Sequence, residues 1–303
     1  MDQILQIDWG WEIVLYLFFG GLSAGILCVS AIINLITKDK YQKTIRFSAW
    51  SGTILLIIGV FLLLIDAGVP TRAIILFQSF VNFDSWMAFG AWFLFAGIVI
   101  FGIYALANTG WITGKLKFLL SWKKALAIII IPVSLGIAIY TGILLGVLYA
   151  HPLWNTWLLP ALFTVSALDT GVAYVLGYLT LRESEAIEGF DRVKKWFELS
   201  TITLVVLEAI ILTVYLTTVA ASGDVASASV EILTSGALSV FFWVFLIGGG
   251  LAVPLLVSVI LVIRHQLAAK TMNILPLLGV SLCLVGGFTL RYIILMAGLP
   301  LYV

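Results

Sequence analysis

Histidine and cysteine are nearly missing from this protein, with two of each among 303 residues. His151 and His265 fall in loops on opposite sides of the topology argued below, so they cannot jointly ligate a haem. An anchor of the b-type cytochrome kind, which needs facing histidine pairs inside its helices, is excluded on that ground. Cys28 and Cys283 are single thiols in apolar surroundings. They cannot hold an iron–sulfur cluster and read as small buried hydrophobes. Charge is also scarce: only 10% of residues are charged, and the net charge of +1 argues against a nucleic-acid partner. Neither a phosphate-binding loop nor a metal-ligand spacing occurs. What fills the sequence instead is apolar residue, at 62%, a composition foreign to ordinary soluble domains.

A membrane-crossing helix needs roughly 20 mostly apolar residues, and eight such runs occur. They cover about 11–36, 48–69, 86–107, 125–148, 157–180, 196–220, 237–263 and 274–297. The first is no cleaved leader, because Asp2 and Asp8 precede it in place of basic residues and the apolar stretch is too long. Lys and Arg cluster after every odd run: Lys38, Lys40, Lys43 and Arg46; Lys115, Lys117, Lys123 and Lys124; Arg182, Arg192, Lys194 and Lys195; Arg264 and Lys270. The positive-inside rule then places these loops inside and both termini outside. Trp9, Trp11, Trp86, Trp154 and Trp157 mark the outer interface in this scheme, and Trp50, Trp111, Trp122 and Trp196 the inner one. The expected fold is an all-α integral membrane protein of eight transmembrane helices in up-and-down bundles. It forms a single polytopic domain with no soluble module. The Ser/Ala/Gly-rich outer connection 220–236, with Asp224 and Glu231, reads as a flexible loop or docking surface.

Topology leaves Arg72 and Arg291 unexplained, along with several carboxylates. At the helical rise, Asp169 lies about 18 Å from the outer side of the fifth run. Glu208 lies about 18 Å from the inner side of the sixth. Arg291 lies about 26 Å up the eighth run, close to the outer surface. Asp66 closes the second run and Glu12 opens the first, both near the outer face. Ionisable groups at membrane depth usually face protein or water and mark a pathway. Two readings follow. In one, Arg291 pairs with an outer carboxylate such as Asp66 and staples the second and eighth helices, while Asp169 and Glu208 stay protonated and hydrogen-bonded. In the other, Asp169 and Glu208 are stations on a proton route, and the outer cluster handles protons of a bound redox ligand.

Several motifs lie toward the outer half. The first run carries Tyr16-Leu17-Phe18-Phe19-Gly20-Gly21-Leu22-Ser23-Ala24-Gly25, and the second ends Asp66-Ala67-Gly68-Val69-Pro70-Thr71-Arg72. The third opens Asn82-Phe83-Asp84-Ser85-Trp86-Met87-Ala88-Phe89-Gly90-Ala91-Trp92. The fourth holds Tyr140-Thr141-Gly142 and is followed by His151-Pro152-Leu153-Trp154-Asn155. The fifth has Leu159-Pro160-Ala161-Leu162-Phe163-Thr164, and the seventh has Gly248-Gly249-Gly250 and Pro254. Each string alone is common in membrane helices. As an ordered set across the whole sequence, they resemble the membrane subunit of polysulfide reductase and its relatives, the NrfD/PsrC family.

That resemblance implies a haem-free, quinone-reactive subunit in a prokaryotic cytoplasmic membrane, with menaquinone as cofactor. It implies an outer four-cluster, ferredoxin-like iron–sulfur subunit and a catalytic subunit, often a molybdopterin enzyme. The quinone site transfers to Tyr140 in its Tyr-x-Gly context and to Tyr16, with Gly21 and Trp86 beside them. Some relatives place a histidine where Tyr16 stands here, so Glu12 or Asp66 takes over the proton acceptor's part. Glu12 lies one turn before Tyr16 on the same face. Arg72 pairs with Asp66 or Asp84, or meets the partner, and His151 is structural or partner-facing. The competing class is a secondary transporter or proton channel with Asp169 and Glu208 as carrier groups. A passive anchor, a third class, has no use for buried ionisable residues. The terminal substrate of such a complex lies in another subunit and stays open.

Overall fold

The computed structural model describes residues 6, 9–37, 40–66, 86–109, 117–182, 189–263 and 274–301. Six long helices come first: α1 (Trp11–Thr37), α2 (Gln42–Asp66), α3 (Trp86–Ala107), α4 (Lys117–Gly146), α5 (Leu158–Arg182) and α6 (Phe190–Ala220). A short helix α7 (Asp224–Thr234) follows, then a π-helical segment π1 (Phe241–Ala252) continuing into α8 (Val253–Ile263), and finally α9 (Ile274–Met296). Among the described residues there are eight segments long and apolar enough to cross a membrane, π1 with α8 counting as one. No strand occurs among them. Large apolar side chains such as Phe61, Ile128, Ile210 and Leu256 stand exposed around the outside, a surface suited to acyl chains and costly in water.

The helices form two four-helix bundles. α1–α4 make the first; α5, α6, π1 with α8, and α9 make the second. They join where α1 crosses α5, at Gly25 and Gly171. A Cβ on Gly25 would overlap the Ala167 carbonyl, and one on Gly171 would overlap the Gly25 backbone, so only glycine permits this approach. A second backbone-to-backbone approach, Gly250 on Gly286, joins π1 to α9. Pro254 is the second residue of α8; it lacks the N–H that a further π-helical turn would use, and the wider winding has ended just before it.

The up-and-down order brings Lys43, Arg46, Lys123, Lys124, Arg182 and Arg192 to one end of the molecule, the basic end. The first and last described residues meet at the other. There the Gln6 amide donates to the Met296 carbonyl (3.3 Å), and the Leu301 amide to Ala150 (2.9 Å).

Three expectations need correction. The connection 220–236 holds α7, whose Ala226, Ile232 and Leu233 are buried; Ser229 Oγ accepts the Leu299 amide at 3.3 Å. Its buried positions 226, 229 and 233, at i, i+3 and i+7, supply the face that the Ser/Ala/Gly content obscured. Trp154 is no interface marker: it is wholly buried and donates its indole N–H to Ile294 O (2.8 Å). And α2, α4 and α6 begin six to eight residues earlier than the apolar runs, because their basic first turns are helical without being hydrophobic.

Candidate functional site

Two groupings emerge, one at the terminal end and one in the interior of the second bundle. At the terminal end, Tyr16 is wholly buried on α1, and its hydroxyl has no hydrogen-bond partner. Tyr140 on α4 lies within electrostatic range of it and is 5% exposed. The Tyr140 ring occupies the space where a Cβ of residue 90 would stand, so Gly90 on α3 is the cradle for that phenol. One turn before Tyr16, the Glu12 carboxylate folds back toward Gly10 and lies within electrostatic range of Asp66, the exposed last residue of α2. The pair Tyr16–Tyr140 and the pair Glu12–Asp66 thus sit at successive depths at one end of the first bundle.

Trp86 is half-exposed at the start of α3. It walls a separate cleft of about 180 Å3 with Ile143, Gly146, Asn155 and Pro160, one turn beyond Tyr140. Gly21 turns away from both tyrosines: a Cβ there would come within 3.0 Å of Arg291 Nη2. His151 is 9% exposed, stacks on Trp154 (4.0 Å between ring centroids) and reaches Gly298 O with Nδ1 at 3.1 Å. It clasps the α4–α5 connection to the segment after α9. Arg72 and Asp84 lie outside the described residues.

The interior grouping brings together residues that helix counting alone leaves apart. Arg291 is fully buried, and its expected pairing with Asp66 does not form. Counting along α9 places its backbone well, but a helical side chain leans toward the helix N-terminus, here the basic end. Gly287, four residues earlier, leaves the room. The guanidinium lies along that turn and donates from Nη1 to Gly287 O (2.7 Å) and Ser166 Oγ (2.8 Å), and from Nη2 to Phe163 O (3.3 Å). Its carbon stands 5.3 Å from the Phe163 ring centroid. The Ser166 hydroxyl also lies close to the Glu208 carboxyl on α6, and Glu208 lies within electrostatic range of both Arg291 and Asp169. Asp169, one turn after Ser166 on α5, accepts the Cys283 thiol at 3.1 Å on Oδ2, while Oδ1 has no partner. Asp169 is 2% exposed and Glu208 3%. Three helices therefore deliver two carboxyls and one guanidinium to a single buried network. The sequence signals are Ser166/Asp169 and Gly287/Arg291 at helical spacing, legible once a common face is assumed.

A larger cleft lies elsewhere. About 580 Å3 in volume, it opens at the basic end between α1, α5 and α6, walled by residues such as Ile33, Val172, Trp196 and Leu204. Among the described residues its lining is apolar apart from side chains such as Thr37, Ser200 and Thr203. Among the described residues no cluster of three metal-ligating side chains occurs.

Sequence comparison matches this protein over nearly its whole length. A polysulfide reductase polypeptide of Wolinella succinogenes is 30% identical over 98% of this protein and 96% of its own length. Protein NrfD of Escherichia coli is 24% identical over 97% and 95%. A selenate reductase polypeptide of Mesobacillus selenatarsenatis is 27% identical over 56% of this protein and 47% of its own length. The family described as polysulphide reductase, NrfD, matches residues 2–301, and the protein belongs to it.

Proposed function

We propose that this protein is the haem-free membrane subunit of a respiratory reductase complex and that it exchanges electrons with membrane quinone, specifically menaquinone, at the Tyr16–Tyr140 site. The observation that carries the reading is the Tyr16 hydroxyl, buried without a partner beside a second phenol. A buried donor left unsatisfied costs about 1–3 kcal/mol, and a quinone carbonyl is an acceptor that relieves it. The residues present fit such a ring on this ground, together with the close Tyr140–Gly90 contact. A bound quinone supplies two-electron, two-proton chemistry. Tyr16 and Tyr140 orient it through their hydroxyls, and Glu12 and Asp66 pass protons between it and water at the terminal end.

Asp169 and Glu208 form the interior part of the proton route. With one guanidinium for two carboxyls, a fully ionised cluster would leave net negative charge in an apolar interior, so one proton stays within it. Ser166 links Arg291 to Glu208, and the cluster is built to hold and release that proton. The electron partner, by the family resemblance, is an iron–sulfur subunit of the four-cluster kind at the terminal end. It serves a molybdopterin-dependent catalytic subunit in a prokaryotic cytoplasmic membrane.

The alternative, a transporter or proton channel, rests on the same interior cluster. Purification of the native complex in mild detergent, with quinone extraction and identification of the co-purifying subunits, separates the two. A bound quinone with an iron–sulfur partner supports the reductase reading; a solitary, quinone-free protein that conducts protons in liposomes overturns it. Within the complex, Tyr140→Phe and Glu12→Gln are expected to lower quinol-linked turnover at least tenfold. Unchanged turnover in both would remove the site assignment.

A further inference from the structure

A second polar grouping lies between the interior cluster and the basic end, and it has no part in the site described above. Glu198 on α6 is 3% exposed and stands about 12 Å along the helix from its first residue. Ser258 on α8 lies close to its carboxyl, and Lys194, one turn toward the basic end, lies within electrostatic range. Its Oε1 nevertheless has no partner, and neither does the hydroxyl of Thr201, 5% exposed, one turn further in. Both residues wall a small cavity of about 20 Å3, together with Ser258 and Cys283. A single water needs about 10–15 Å3 and two to four polar partners. The volume suffices for one, and Glu198, Thr201 and Ser258 bring polar groups to its wall. Cys283, on the far wall, is the residue that donates to Asp169 Oδ2 at 3.1 Å.

We propose that Glu198, Thr201 and Ser258 hold one buried water against Cys283, and that this water joins Asp169 to the basic side of the membrane for proton exchange. The inference rests on the reading of Asp169 as a proton-handling group. The transfer balances without any co-reactant. Cys283 gives its thiol proton to an ionised Asp169 and takes one from the water; the water takes one from Glu198; Glu198 is reloaded from the basic side past Lys194. The net result is one proton moved from the basic side through α6 and α9 to Asp169 on α5, and each intermediate partner is restored. The buried stripe of α6 supports this direction, since Lys194, Glu198, Thr201 and Glu208 all belong to it.

The test follows proton exchange itself, apart from turnover. The full-length protein in nanodiscs is transferred into heavy water, and the Asp169 carboxyl band, identified by its loss in Asp169→Asn, is followed by time-resolved infrared spectroscopy. Thr201→Val, close to isosteric, and Glu198→Gln should each slow its deuterium shift at least tenfold. Glu198→Asp should restore part of the rate. An unchanged rate in both Thr201→Val and Glu198→Gln, with the band in place, overturns the water site and leaves the wider reading standing. If Asp169→Asn removes no carboxyl band at all, Asp169 holds no proton, and the proton reading of the interior cluster falls with this one.

Discussion

Arg291 shares the interior of the second bundle with two carboxyl groups and is bonded to three acceptors of its own. Removing one member of such a buried charged set leaves the others uncompensated, at about 3–5 kcal/mol. Arg291→Met is therefore expected to lower the unfolding temperature in detergent by that equivalent. Arg291→Lys should recover only part of it, because an ammonium cannot repeat the fork that serves Ser166 and Phe163 at once. Gly21→Val tests the same spot from α1. The added branch meets Nη2, and overpacking of this kind costs about 1–3 kcal/mol. A Gly21→Val protein as stable as the parent would show that the guanidinium has room the geometry does not give it. At this scale the sequence is half legible. It marks Asp169, Glu208 and Arg291 as out of place in apolar runs, and it does not say that they meet. Depth along one helix is countable from the sequence; the face turned toward a neighbouring helix depends on packing. Depth alone pairs Arg291 with Asp66 for that reason, although its side chain leans the other way and Asp66 stands exposed beside Glu12.

Elements are more legible than residues. Each apolar run forms a helix, since no other structure satisfies its backbone inside lipid. The departures occur where hydrophobicity is not the deciding property. The first turns of α2, α4 and α6 are basic and still helical, and α7 conceals four buried side chains in a segment rich in small residues. The widened winding of π1 leaves only Pro254 and the Gly248–Gly250 string as traces. Two consequences can be measured at this level. Leu233→Ala, which removes a buried side chain beneath α7, should cost about 2–5 kcal/mol and raise proteolysis between residues 220 and 236. Gly250→Val should separate π1 from α9 at the Gly286 contact, and a lower yield of folded protein by size-exclusion chromatography would report it. Normal yield and mobility would show that the close approach is dispensable.

For the whole molecule, the even number of crossings and the basic clusters agree on a single arrangement. The first and last described residues lie at one end, and the described Lys and Arg of the basic clusters at the other. Labelling settles which end faces the cytoplasm, against a background of two buried native thiols. In right-side-out membrane vesicles, Leu301→Cys should react with an impermeant maleimide, and Lys195→Cys only after permeabilisation. The reverse pattern would invert the topology and move the proposed partner docking to the basic face.

The crowding of α1 bears on how the protein is made. Ser23 bonds the Gly52 carbonyl of α2 (2.6 Å), Asn34 bonds Tyr104 of α3 (3.2 Å), and Gly25 lies against α5. A ribosome delivers α1 first, yet every one of these partners is synthesised later, the last of them not until α5. Ser23 and Asn34 wait for α2 and α3, and the bare Gly25 face has nothing to cover it until α5. It must be sheltered beside the insertion machinery until the fifth crossing emerges, so a nascent polypeptide truncated before α5 becomes a substrate for membrane proteases.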